Sequence, residues 1–164
     1  MPILNIHKSH PLTDGRQSDK AMLIRRGIQK FFKHSAITCI CELPLSNGRR
    51  ADIVGLTRKG EIYIIEVKSS IADLRSDQKW HEYRPFCDYF YFASNNEVPF
   101  ELFPQECGFF LADAFGAEEL RSAPQHRLQA PTRKAMTLNI ARFATKRLMK
   151  AEMDGLQINT EDEE

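Results

Sequence analysis

Two turn signals fix most of what the middle of this chain can become. Asn47-Gly48 and Arg58-Lys59-Gly60 separate three segments rich in β-formers: Ala36–Leu45 (AITCICELPL), Ala51–Thr57 (ADIVGLT) and Glu61–Lys68 (EIYIIEVK). Short strands joined by tight turns pair antiparallel, so a three-stranded meander is predicted. Acids sit inside it where apolar residues belong. Asp52 interrupts ADIVGL, and Glu66 and Lys68 close IYIIEVK. A carboxylate beside a hydrophobic sheet is costly unless something compensates it. A hard divalent cation does so directly, because it takes carboxylate oxygens.

The second turn sets a testable register. With a three-residue loop, Thr57 faces Glu61, and counting back places Asp52 opposite Glu66. The Cβ atoms of such a pair lie roughly 4.5–5.5 Å apart. Side chains alternate along a strand, so Lys68 points the same way as Glu66. Val67 points to the opposite face, but its carbonyl is within reach of a metal near the strand edge. Two close carboxylates, a cation between them and an adjacent ammonium suit phosphodiester hydrolysis. The metal polarises the phosphate and lowers the pKa of a water; the lysine orients or deprotonates that water, or offsets developing charge. The plain alternative is an ion-pair cluster on an exposed hairpin. Whether Glu42 joins depends on the first turn. A two-residue loop pairs Ser46 with Arg49 and turns Glu42 away from Asp52. A three-residue loop pairs Leu45 with Arg49 and sets Glu42 opposite Asp52. Leu43 and Leu45 are expected to share a core face with Cys39 and Cys41.

The flanking segments supply layers for this sheet. Ser18 is placed to cap a helix over Asp19–His34 with a stripe of Met22, Leu23, Ile28, Phe31 and Phe32. A polar helix is predicted over Ile71–Tyr83, stopped before Pro85. Strands follow at Asp88–Ala93 and Cys107–Phe115, separated by a loop over Asn95–Glu106. A short return strand near Glu118–Ala123 precedes a linker at Ser122–Pro131 and a last helix over Thr132–Met153. The aromatic strand Tyr89-Phe90-Tyr91-Phe92 and Trp80 are expected in the core. Asp73 and Asp77 are read as local turn and helix-end groups. This order is not a regular βαβα alternation, and neither GxGxxG nor GxxxxGK[ST] is present. The fold class is α/β, a mixed β-sheet flanked by helices.

Length and charge bound the function. The chain has 164 residues, room for one domain and little more. No apolar run approaches the roughly 20 residues of a membrane-spanning helix, and Met1–Lys20 has no apolar core of a secretory signal. Cys39, Cys41, Cys87 and Cys107 form no CxxC pair, which fits reduced thiols in a cytoplasmic protein. The formal net charge of +1 hides segregation. From Arg121 to Lys150 every charge is positive; from Ala151 onward every charge is negative. Without the six acids after Lys150 the remainder carries +7.

Several stretches carry a family resemblance. Asp52 followed by Glu66-Val67-Lys68 on a hairpin after a helix resembles the PD-(D/E)XK nuclease superfamily, although Ala51 stands where the proline of that motif's name would be. More narrowly, GRRADIVGL (Gly48–Leu56), EVKSSIADLRSDQKWHEY (Glu66–Tyr83), CDYFYFA (Cys87–Ala93) and PTRKAMTL (Pro131–Leu138) are similar to MmcB-like DNA repair proteins. The resemblance implies a restriction-endonuclease-like core and a deoxyribonuclease dependent on Mg2+ or Mn2+. Asp52 and Glu66 would be metal ligands, joined by the Val67 carbonyl and by Glu42 if the turn permits, and Lys68 the catalytic lysine. In this superfamily the following helix often carries a polar or basic residue at the site, a place Gln78 and Lys79 match loosely. The partner is DNA, bound nonspecifically or by its structure, with Arg49, Arg50, Lys79, Arg133 and Lys134 as phosphate contacts. A homodimer is compatible, since many nucleases of this fold pair to cut both strands. The expected organisation is an irregular lead-in over 1–17, one nuclease-like domain over 18–153 and a disordered acidic tail over 154–164. The competing readings are a noncatalytic DNA- or partner-binding module on the same fold, and an interaction protein that dimerises through its sheet edge.

Overall fold

A computed structural model describes residues 18–155. The lead-in expected over 1–17, and the tail expected over 154–164 apart from its first two residues, lie outside the described residues.

Six strands form one mixed sheet in simple sequence order: β1 (Thr38–Pro44), β2 (Arg50–Leu56), β3 (Ile62–Val67), β4 (Tyr89–Ser94), β5 (Gly108–Ala112) and β6 (Ala117–Arg121). The expected meander is present: β1/β2 and β2/β3 pair antiparallel. The sheet then turns parallel for β3/β4 and β4/β5 and closes antiparallel with β6.

One helix covers one face. α1 (Asp19–His34) begins where Ser18 Oγ accepts the Ala21 N–H at 3.2 Å. Its Ala21, Ile24, Ile28 and Phe32 pack on Ile53, Ile65, Tyr91 and Phe110. Gly27 lets it approach closely, because a Cβ there would lie 2.1 Å from the Asp113 carbonyl oxygen and 2.3 Å from that of Gly116. The other face holds Val54, Ile62, Ile64, Phe90, Phe92 and Phe109 under Leu74, Trp80, Tyr83, Cys87 and Met136. The aromatic strand is thus core, as its composition suggested. All four cysteines are free; Cys41, Cys87 and Cys107 are buried. No helix among the described residues is long and apolar enough to cross a membrane.

Three expectations are corrected. The helix predicted over Ile71–Tyr83 is a single short α2 (Ile71–Ser76), followed by extended Asp77 and by 3-10 turns at Trp80–Glu82 and Arg84–Phe86. The chain leaves the helix because both oxygens of the Asp77 carboxylate are engaged outside it, and because Trp80 turns inward to stack on Phe90, ring centroids 5.7 Å apart. Second, Leu43 and Leu45 do not share a face with Cys41: Cys41 packs on the α1 side, Leu43 and Leu45 on the other. Between them Glu42 adopts a left-handed conformation, φ 61°, which breaks the strand's alternation. Third, the last helix, α3 (Ala130–Met153), starts two residues early and buries only Met136.

Candidate metal and phosphodiester site

The β2/β3 register places the acids as counted. Ile53 pairs with Ile65 and Val54 with Ile64, so Asp52 and Glu66 are the next opposing pair. Here the strands part and side chains take over the ladder. The Asp52 N–H donates to Glu66 Oε1 at 3.1 Å, and the Val67 N–H donates to Asp52 Oδ2 at 2.9 Å. Each carboxylate therefore has one oxygen fixed by a backbone amide and one free of such a bond among the described residues. The Lys68 N–H continues into β4 through the Ala93 carbonyl at 2.9 Å, and Ser94 Oγ donates to the Lys68 carbonyl at 2.5 Å. β3 is thus held rigidly at the point where its side chains become chemical.

Asp52, Glu66, Val67 and Lys68 line one pocket of about 390 Å³ with Ser18 and Ala21 of α1, Arg50, Ser69, Asp73, Asp77 and Tyr83. Glu66 is 3% exposed and Lys68 5%. Burial pushes the Asp52 carboxyl up to about 6, against the relief of the Val67 amide bond. Burial pushes Glu66 well above the usual carboxylate range, and the charge of Asp52 adds to it. Lys68 runs the other way. Burial works against its charge, but its bond to Asp77 and the charge of Glu66 outweigh that and hold it above the usual lysine value.

This donor set fits a small hard cation. Glu66 is buried and Asp52 half-buried, the two lie close, both are destabilised as anions, and each keeps an oxygen without an amide partner among the described residues. Mg2+ is commonly bound by one or two carboxylates, with waters and substrate phosphate completing its shell. Among the described residues no group of three or more His, Cys, Asp or Glu is arranged to hold a metal ion.

Glu42 does not enter this pocket. The first turn is the three-residue one, with the Leu45 N–H donating to the Arg49 carbonyl at 2.7 Å, and Gly48 supplying its positive φ of 84°. Glu42 thereby faces Asp52 in register, between the pairs Cys41/Ile53 and Leu43/Ala51. Its backbone is left-handed, and its carboxylate pairs with the pocket residue Arg50 at 2.6 Å and with Arg25 of α1 at 3.8 Å, near enough that its charge helps push the Asp52 carboxyl up.

The basic residues divide. Arg50 lines the pocket; Arg49 is paired with Glu82 nearby; the Lys79 side chain is exposed on the adjoining loop. Arg133 is structural. Its guanidinium grips both oxygens of Asp88 at 2.7 Å and the Gly60 carbonyl at 2.7 Å, and Asp88 in turn accepts the Ile62 and Leu128 amides. This bond network ties α3 to the sheet. Lys134 borders a separate cavity with Arg127 and Thr137. Asp73 caps locally as expected, accepting the Ser69 N–H at 3.1 Å. Asp77 ends its helix and accepts the Lys79 N–H locally as expected, but it also lines the pocket, as does Tyr83, a placement that a helix through Tyr83 would not give both.

Comparison with known proteins now bears on this arrangement. Residues 8–155 match the family described as DNA repair protein MmcB-like. The chain belongs to that family. Membership suggests a role in DNA repair and an interaction with DNA. A solved structure titled as the SPO1766 protein of unknown function from Silicibacter pomeroyi is similar to it, with a TM-score of 0.79 and 35% identity over 89% of this chain and 99% of that one. No curated protein matches.

Proposed function

We propose that this MmcB-like protein hydrolyses DNA phosphodiester bonds at the Asp52–Glu66–Lys68 pocket, with Mg2+ or Mn2+ held by the two carboxylates, on a core of the PD-(D/E)XK type. The observation that carries the reading is the reciprocal clasp at the end of β2 and β3. It sets a buried acid beside a half-buried one in a pocket and leaves each with an oxygen not bound to an amide among the described residues. A fold seeking only stability gains nothing from this: uncompensated, the pair costs roughly several kcal/mol at neutral pH.

A bound divalent ion would supply a Lewis acid for the phosphate oxygen and a more acidic water. The residues of the chain do the rest. Asp52 and Glu66, locked by amides, hold their free oxygens at fixed positions. The Lys68 ammonium lies beside them, where it donates to an attacking water or to a phosphate oxygen as negative charge develops. The water oxygen bonds to phosphorus as it gives up a proton to solvent, a bridging P–O bond breaks, and the departing oxygen takes a proton from solvent. Arg50 at the pocket rim, with Arg49 and Lys79 beside it, supports contacts to neighbouring phosphates. Such contacts give affinity without base readout.

The test is to incubate the full chain with linear, nicked, branched and single-stranded DNA in Mg2+ or Mn2+, beside Asp52→Ala and Lys68→Ala. Cleavage by wild type and its loss in both variants is expected. Cleavage that survives in both variants refutes the assignment. Salt-sensitive binding without any cleavage in wild type would transfer the case to a noncatalytic DNA-binding module.

A further inference from the structure

The pocket's lysine does not choose its own position. Lys68 leaves the end of β3 with 6% of its side chain exposed, and its Nζ donates to Asp77 Oδ2 at 2.8 Å. Asp77 is fixed in turn, because its Oδ1 accepts the Lys79 N–H at 3.1 Å. Its extended backbone, φ −122° and ψ 97°, is the point at which α2 stops. Leu74 before it and Trp80 after it are buried in the same core, so the loop is pinned at both ends. The Lys79 amide bond alone would close this turn; it engages one oxygen and leaves the other to Lys68.

The geometry points to Asp77 as the positioning residue of the site, which sets the Lys68 ammonium beside the Asp52–Glu66 pair and makes the loop after α2 part of the hydrolytic apparatus. This rests on the hydrolytic reading above. A lysine head on its four-carbon stem samples many rotamers, and fixing it in advance removes that cost from the reacting complex. The break in α2 then has a purpose. At the point where the helix stops, Asp77, nine positions along the chain from Lys68, reaches the lysine's Nζ.

The test uses the full chain as wild type, Asp77→Ala and Asp77→Asn; Asn keeps an acceptor oxygen for Lys68. Two readouts are taken: DNA cleavage kinetics in Mn2+, and the Lys68 Nζ signal by 15N-detected lysine NMR without metal. In Asp77→Ala, kcat falls on the order of 10²-fold, while KM and the Mn2+ affinity measured by calorimetry stay within about twofold. In Asp77→Asn most of kcat returns. The Nζ signal, protected in wild type, is lost in the Ala variant and kept in the Asn variant. An Ala variant with wild-type kcat overturns the proposal and leaves the nuclease reading standing. So does an equal loss in both variants with the Nζ signal intact. If wild type cleaves no DNA, the nuclease reading falls, and the tether is judged on the Nζ signal alone: persistence in Asp77→Ala refutes it, loss there with retention in Asp77→Asn supports it.

Discussion

Replacing Asp52 with Asn separates what the pocket costs from what it does. The substitution keeps the shape and keeps an oxygen to accept the Val67 amide, but removes one of the pocket's two neighbouring negative charges. In the folded protein burial pushes the Asp52 carboxyl from 3.8 to about 6. Each pH unit of such a shift corresponds to about 1.4 kcal/mol, so the folded state bears about 3 kcal/mol against the ionised form. The sign follows from proton counting. Between pH 4 and 6 the folded chain holds a proton that the unfolded chain has lost, so stability falls as pH rises through that window and stays low above it. Asp52→Asn removes this term, and it relieves Glu66, whose carboxyl the Asp52 charge also pushes up. The variant should match wild type at pH 4 and exceed it by about 3 kcal/mol at pH 7.5 without metal. For a chain of this size that is on the order of 6–12 °C in Tm. Urea denaturation at both pH values in EDTA measures the gap. Added Mg2+ should raise wild type and leave the variant unmoved, because only a folded state that binds the ion is stabilised by it. A gap of equal size at both pH values, or a variant less stable than wild type at pH 7.5, would show that the buried charge is not the source.

Three further outcomes are expected. Arg133→Ala should cost about 3–5 kcal/mol, because it strands the Asp88 carboxylate, which is 1% exposed, without its cation; denaturation curves with a loss under 1 kcal/mol would contradict this. Burial works against the Asp88 charge, but Arg133 and the amides of Leu128 and Ile62 hold its carboxyl below the usual range, so the stability it contributes is present above the unfolded pKa and is lost as pH falls through the folded one. Gly27→Ala gains about 1 kcal/mol in helix propensity yet should lower stability by about 2 kcal/mol net, since its Cβ meets two backbone carbonyls of the β5/β6 turn region that cannot both withdraw; a rise in Tm would refute the close approach. Deleting residues 160–164 removes four acids from the chain and should tighten DNA binding several-fold at about 50 mM salt, the difference closing near 0.5 M as charges are screened; fluorescence anisotropy at the two salts decides it.

How far the sequence disclosed this arrangement varies by element. The β2/β3 register was legible because an Arg-Lys-Gly turn admits few loop lengths, and a register once set carries Asp52 to Glu66 by counting alone. The bounds of α1 were legible because its cap and end coincide, but its stripe was only partly so: Ile28 and Phe32 are buried, whereas Leu23 is exposed and Ile24 takes its place in the core. Glu42 was not. Its place opposite Asp52 followed from the three-residue turn, but a single left-handed residue redirected its side chain to Arg25 and Arg50, and nothing in CELPL marks that. The run after Ser70 misled for a related reason. Its polar pattern suits a helix, yet tertiary bonds to Asp77 and the burial of Trp80 override propensity. Arg133 lies in a basic stretch that sequence alone reads as a phosphate-binding face; only the fold brings Asp88 to it across 45 positions.

In the proposed reading Asp52 and Glu66 together hold a catalytic divalent ion. Crystals of the wild-type chain soaked in Mn2+ test it through the anomalous difference map. The expected result is a peak about 2.0–2.3 Å from one oxygen of each carboxylate, with Glu42 still paired to Arg25 and Arg50, and no such peak in Asp52→Asn crystals soaked identically. A map without a peak between the two carboxylates, or one whose peak persists in Asp52→Asn, would contradict it.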